Sequence, residues 1–355
     1  MKKEKLLLIG TNQLEALTDA AMWCKYLSDD YEITHVSFEM KLQQSPELSH
    51  VQRRMVPTYF PKIIRGSLLL LFAILSILFH KGKIMVVYFE KCIYLKKLFP
   101  RRKMLLDIRT LAVFKDEALN AKYNSDIERA CNVYDEVTVI SHGVARSINL
   151  TRYNLLPLGA EHISDSCKVY SNGIRLLYVG TFMGRKIDTT IKGLAMFHKK
   201  NKEIPISYVI IGGGSQEEEL NIKASIRAHE LSDIVSCIGR VPHHDLKKYF
   251  DEANVGVSFV PLLAHYQYQP PTKTFEYLMS GLYCIATSTI ANKEIISDPL
   301  NGLLIQDTAD SFCEALEKYL KLADKINKND LIKSVSQYSW DVIVDTYLKK
   351  ALKKL

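Results

Sequence analysis

The sequence predicts an α/β protein of two doubly wound domains, and three observations carry this. Short apolar runs alternate with helix-like stretches; the alternation pauses around residues 155–160 and restarts at Arg175; and 355 residues exceed what one core usually fills. Runs apolar on both faces belong to a parallel sheet covered by helices on each side.

In the first half, strands are expected at 6–9, 32–38, 84–89, 104–108 and 137–141, separated by helical stretches at 14–27, 67–79, 92–99 and 127–133. The opening Met1-Lys2-Lys3-Glu4-Lys5 leads into four apolar residues, too few for a signal-peptide core, and reads as the approach to a first strand. Pro157 and Gly159 mark a hinge at a strand end. Strands then follow at 175–180, 206–211, 234–238, 255–260, 283–287 and 302–305, with helices starting near Ile187, Gln216, His243, Lys273, Ile290 and Thr308. Trp340, Ile343, Val344, Tyr347 and Leu348 share one face of a terminal helix. The expected domains are 1–160, joined by the terminal helix 339–355, and 161–338. Open parallel sheets bind ligands beyond the carboxyl ends of their strands, so the expected site is the cleft where the two sets of loops face each other.

Composition narrows the class. Hydrophobic residues at 47% and charged residues at 24% describe a globular chain with no disordered arm. The seven cysteines are scattered, odd in number and without a C-x-x-C pair, which disfavours a disulfide framework and a zinc site. The net charge is +8, with roughly +7 before residue 160, in clusters such as Arg53-Arg54, Lys96-Lys97 and Arg101-Arg102-Lys103. Such clusters suit an anionic membrane surface or a phosphorylated substrate, or are simply solvated; no nucleic-acid motif accompanies them, so nucleic acid is not an expected partner. The apolar run 67–79, flanked by Arg65 and Lys81, is too short to span a bilayer. It reads as a buried helix of the first domain or as one whose outer face also touches membrane.

The chemistry concentrates in Gln269-Pro-Pro-Thr-Lys-Thr-Phe-Glu-Tyr-Leu-Met-Ser-Gly281. Two prolines end a loop and Thr272 is placed to cap a helix. The first turn then offers the backbone N–H groups of Lys273 and Thr274 with a cation beside them, which outlines an anion site. Glu276, three residues after Lys273, shares its face and would meet a ribose diol one turn below the phosphate.

This segment resembles the nucleotide-sugar site of the "group 1" retaining glycosyltransferases, whose GT-B fold sets two Rossmann-like domains across a cleft. In that family the second glutamate of a Glu-x7-Glu motif binds the ribose, and Glu276 matches it; Tyr268 stands where the first would fall. The stretch from Tyr178 to Leu194 is similar to the family's opening signature, a strand ending at Gly180 and a loop whose Arg and Lys bind the donor diphosphate. Lys186 fits the lysine. Thr181 occupies the usual arginine position, with Arg185 as its substitute. The loops around Gly213 and around Arg240-Val241 resemble those that face the nucleotide, the second being the expected base site. In the first domain, Arg109 takes the place of a histidine that faces the donor sugar in many relatives; with Asp107 it either orients sugar or acceptor or forms a structural ion pair.

The resemblance implies transfer of a sugar from a nucleoside diphosphate to a hydroxyl, on a saccharide or lipid-linked saccharide acceptor, in cell-surface polysaccharide or glycolipid assembly. Arg185, Lys186, Lys273 and Arg109 are the expected catalytic residues. Gly180, Thr181, Gly213, Arg240, Val241, Thr272, Thr274 and Glu276 are expected to bind the donor. No metal is expected, because no D-x-D cluster or His/Cys grouping has ligand spacing; nor is any cofactor besides the donor itself. The expected location is the cytoplasm, with peripheral contact to the inner face of the cell membrane. Two rivals are a nucleotide-sugar 2-epimerase of the same fold and, prompted by Tyr268 and Thr181, a degenerate non-enzymatic partner subunit.

Overall fold

The computed structural model describes residues 3–114 and 116–355, so Met1, Lys2 and Lys115 lie outside the described residues. The chain divides into two units, Met1–Gly159 with Trp340–Leu355, and Ala160–Ser339.

The first unit is a seven-stranded sheet: β1 (Glu4–Ile9), β2 (Tyr31–Phe38), β3 (Gln52–Val56), β4 (Lys83–Val87), β5 (Leu105–Ile108), β6 (Glu136–Val139) and β7 (Asn154–Leu155). All pairs are parallel, in the order β3-β2-β1-β4-β5-β6-β7. Helices α1 (Thr18–Tyr26), α2 (Lys62–Phe79), α3 (Ile93–Leu98), α4 (Glu117–Cys131) and α5 (His142–Ser147) connect the strands. β3 has no apolar signature because its arginines are not solvated. Arg53 is bidentate to Glu15 at 2.8 and 2.9 Å with both side chains nearly buried, and Arg54 bonds Ser76 Oγ.

The other basic clusters are also partly structural. Lys96 is buried, bonding the carbonyls of Pro100 and Arg102 and pairing with Asp135. Arg102 holds the carbonyls of His80 and Gly82 beyond the end of α2. Nor is α2 buried all round. Leu69, Ala73, Ser76 and Ile77 face the core, at the i, i+4, i+7 spacing of one helix face, while Ile64, Leu71, Leu75, Leu78 and Phe79 are exposed. Among the described residues no helix is long and apolar enough to cross a membrane.

The second unit is a six-stranded parallel sheet: β8 (Ile174–Thr181), β9 (Ile206–Gly213), β10 (Val235–Gly239), β11 (Val255–Ser258), β12 (Tyr283–Thr287) and β13 (Gly302–Ile305), in the order β10-β9-β8-β11-β12-β13. Its helices are α6 (Asp188–Lys200), α7 (Gln216–Ala228), α8 (Lys247–Glu252), α9 (Thr272–Met279), α10 (Ile290–Ile295), α11 (Ala309–Leu322) and α12 (Lys328–Val335). The interior strands β11 and β12 are buried at every residue, whereas the edge strand β10 alternates. Strand order reverses between β8 and β11, so the loops after these two strands border the switch point where such sheets take ligands.

Trp340–Ile343 opens the last helix, which passes through a π turn at Val344–Leu348 and ends at Lys349–Leu352. Gly159 serves packing here: a Cβ on it would lie 2.3 Å from the Trp340 ring. All seven cysteines are unpaired.

Candidate functional site

The loop after β8 is held from both sides. Gly180 needs its neighbour Gly212 bare, because a Cβ on Gly212, at φ +157°, would sit 1.7 Å from the Gly180 carbonyl. The loop turns through Gly184 at φ +64°, whose N–H donates to Glu218 Oε1 at 2.7 Å, and Arg185 N–H closes a turn onto the Phe182 carbonyl. Glu218 also completes a capping box with Ser215 at the start of α7. Thr181 is exposed, and its hydroxyl bonds the Gly213 carbonyl. The Arg185 guanidinium lies over the Tyr266 ring, 4.4 Å from its centroid, so the β8 loop reaches the loop after β11. Lys186 is exposed at φ +52°, and its side chain makes no hydrogen bond or ion pair with another described residue. It stands two residues before α6, in the turn that joins the β8 loop to that helix.

The start of α9 differs from the sequence reading at two residues. Pro271, not Thr272, takes the capping position, extended at φ −69° and ψ 125°; Thr272 is the first helical residue, and no side chain caps the helix. Thr274 is fully buried and its groups are consumed. Its N–H donates to the Pro271 carbonyl, and its hydroxyl joins Ser258 Oγ at 2.7 Å and Asn292 Oδ1 at 3.0 Å. Asn292 in turn donates to the Thr287 carbonyl, and Thr287 Oγ1 accepts from Val260 N–H. Thr274 therefore fixes the first turn of α9 to β11, β12 and α10 and presents nothing to a ligand. Buried polar networks of this kind rigidify what they support.

Glu276 is 2% exposed and pairs with Lys273, whose side chain is 22% exposed. The i, i+3 spacing puts both on one face, as expected. The next residue, Tyr277, is buried against Gly256 of β11, and its hydroxyl accepts from Val179 N–H in β8 at 2.8 Å. At the neighbouring strand ends, the exposed Arg240 lies across Gly213, where an added Cβ would meet its Nε at 2.6 Å. Val241 beside it is half-buried, and Gly239 turns at φ +81°.

In the first unit, Arg109 takes the structural alternative. Its side chain is 8% exposed, Nε pairs with Asp19 at 2.5 Å, and Nη1 donates to the Leu156 carbonyl at 2.7 Å. Asp107 lies 3.8 Å from it, fully buried, with Oδ1 accepting from Thr138. Burial pushes the Asp107 carboxyl up to about 6, against the opposing pull of Arg109 and Thr138. Arg109 is thus committed to a buried ion pair.

Tyr266, Glu218 and Asn292 escaped the sequence reading. Only Glu218 left a local signal, the Ser-x-x-Glu box before a helix. Among the described residues no three His, Cys, Asp or Glu side chains group as a metal site would need.

Residues 173–322 match the family model described as Glycosyl transferases group 1. Among solved structures, the chain is similar to a sucrose-phosphate synthase from Thermosynechococcus elongatus, at 16% identity and TM-score 0.77 over 99% of each chain. It is similar to Anabaena HepE in complex with UDP-glucose, at 11% identity and TM-score 0.73, covering 99% of this chain and 100% of that one. It also resembles a lipopolysaccharide outer core galactosyltransferase, WaaB, at 14% identity and TM-score 0.70 over 99% and 100%. These likenesses show the two-unit GT-B architecture. No curated protein sequence matches significantly.

Proposed function

We propose that this chain, in which residues 173–322 match the group 1 glycosyltransferase model, moves a sugar from a nucleoside diphosphate donor to a hydroxyl acceptor with retention at the anomeric carbon. The second unit binds the donor and the first the acceptor. Arg185, Lys186 and Lys273 meet the diphosphate, Glu276 accepts from the ribose hydroxyls, and the backbone at Arg240-Val241 borders the base. Charge grows on the diphosphate as the glycosidic bond breaks, so cations already in place stabilise the transition state more than the ground state.

One observation carries the reading. Glu276 is only 2% exposed, yet among the described residues its carboxylate is met by Lys273 alone, in the first turn of a helix beside the sheet's switch point. A buried carboxylate must be met by a cation or by donors, and a ribose diol offers two O–H groups while the diphosphate draws on Lys273. Glu276→Gln keeps the shape and removes the charge. UDP and GDP affinity, measured by calorimetry, should weaken by about 1–3 kcal/mol. Unchanged affinity for both would remove Glu276 from the site.

The acceptor is proposed to be a lipid-linked saccharide in cell-surface polysaccharide assembly, taken at the cytoplasmic face of a membrane. Supporting this are the exposed apolar face of α2 and the likeness to WaaB, a lipopolysaccharide outer core galactosyltransferase.

A further inference from the structure

The exposed face of α2 is continuous with a cationic groove. An open cavity of about 900 Å³ lies at the amino ends of β1 and β4, and of its eleven lining residues seven are Lys or Arg. Phe79, 79% exposed at the end of α2, lines the same groove. Glu4 is the one carboxylate side chain among the lining residues and is already paired with Lys83. Lys81 and Arg101 are exposed, and their side chains make no hydrogen bond or ion pair with another described residue. Above the groove, Leu71, Leu75 and Leu78 continue the apolar stripe. α3, packed beside α2, adds the exposed Tyr94 and Leu98 with Lys97 between them.

From this we infer that α2 and α3 form an interfacial dock for an anionic bilayer, with Leu75, Leu78 and Phe79 entering the acyl boundary and Lys81 and Arg101 meeting lipid phosphates. The segregation argues for it. A stripe of large apolar side chains left in water is costly and unusual on a monomer. A cationic rim beside such a stripe matches a surface whose outer layer is anionic and whose next layer is apolar. α2, 18 residues and so about 27 Å long, is suited to lie along the interface, since one face is already spent on the core. The groove lies at the amino ends of the strands, opposite the edge where the first unit's sheet would take an acceptor, so docking leaves that edge open.

The inference deepens the membrane-side reading of the acceptor but does not depend on donor chemistry, and its test separates the two. The full chain is sedimented with vesicles of phosphatidylglycerol and phosphatidylcholine, or of phosphatidylcholine alone, while UDP binding is followed by thermal shift. Wild type should pellet with the anionic vesicles, less as salt rises, and remain free of the neutral ones. Leu78→Ser/Phe79→Ser and Lys81→Glu/Arg101→Glu should each lower partitioning at least about tenfold with UDP binding unchanged. Weaker UDP binding in Glu276→Gln with vesicle binding intact is expected and touches only the donor site. Wild type left in the supernatant, or both double variants pelleting like wild type, overturns the dock. So does a concentration-dependent dimer that Leu78→Ser/Phe79→Ser abolishes, which would assign the stripe to a second copy.

Discussion

Gly256 of β11 carries Tyr277 of α9 directly on its backbone: a Cβ there would stand 2.2 Å from the Tyr277 ring. Tyr277 is fully buried and anchored to Val179 N–H, so it has no room to yield, and the height of α9 over the sheet is set by the missing side chain. Gly256→Ala should therefore lift the helix. A loss of about 1–3 kcal/mol in chemical denaturation is expected from overpacking of this kind. Affinity for UDP should fall as well, because Glu276 is the adjacent residue on the lifted helix. A variant as stable and as avid as wild type would show that this contact does not fix α9.

Lys273 and Glu276 offer a way to separate folding from binding. Lys273→Ala strands a carboxylate that is 3% exposed, and the second unit should lose about 2–4 kcal/mol, measured by urea denaturation. The pair replacement Lys273→Met/Glu276→Gln removes both charges and should recover most of that stability. Nucleotide affinity should stay low in both. Recovery of UDP binding along with stability would reduce the pair to a structural role.

How far the sequence disclosed this arrangement depended on the range of the forces involved. β12 and β11 were legible because a strand buried on both faces is a nearly continuous apolar run, broken here only by the hydrogen-bonded Thr287 and Ser258 at the strand ends. β3 was not, because Arg53 is neutralised by Glu15, 38 residues earlier, and nothing local announces a buried arginine. Arg109 with Asp107 left two outcomes open until Asp19, 90 residues away, appeared as its partner. Lys273 and Glu276 were legible as one face of a helix because i, i+3 geometry is local. The Thr272 cap was misread by a single residue: Pro-Pro-Thr places the cap at Pro271, whose extended backbone leads into the helix without a side-chain bond. The Thr274 hydroxyl was claimed by Asn292, 18 residues onward, a pairing that only the fold creates.

Tyr266 is the support that the sequence concealed, and it makes a selective test. Its ring lies under the Arg185 guanidinium, and without it that cation should lose its orientation. Tyr266→Ala is expected to weaken UDP binding by about 0.5–2 kcal/mol, the range of such contacts. Uridine, which lacks the diphosphate, should bind the variant and wild type alike. Equal losses for UDP and uridine would place Tyr266 at the base and not beside the phosphates.

Asp107 should leave a mark on stability against pH. Burial raises its carboxyl from the ordinary 3.8 to about 6, which Arg109 and Thr138 only partly offset. The folded state therefore holds the proton more tightly than the unfolded chain. Its contribution is fully present below about pH 4 and is lost as pH rises through about 6, a swing of about 3 kcal/mol. The buried His35, pushed down to about 3 by desolvation and by Arg53, acts oppositely: its contribution is present above about pH 6.5 and is lost as pH falls toward 3. The wild-type curve alone is thus a sum, and Asp107→Asn isolates one component. The difference in unfolding free energy between wild type and Asp107→Asn should shift against wild type by up to about 3 kcal/mol between pH 4 and pH 7. A difference that stays flat across this range would mean that the carboxyl titrates alike in the folded and unfolded chain, and that the Arg109 pair fully compensates its burial.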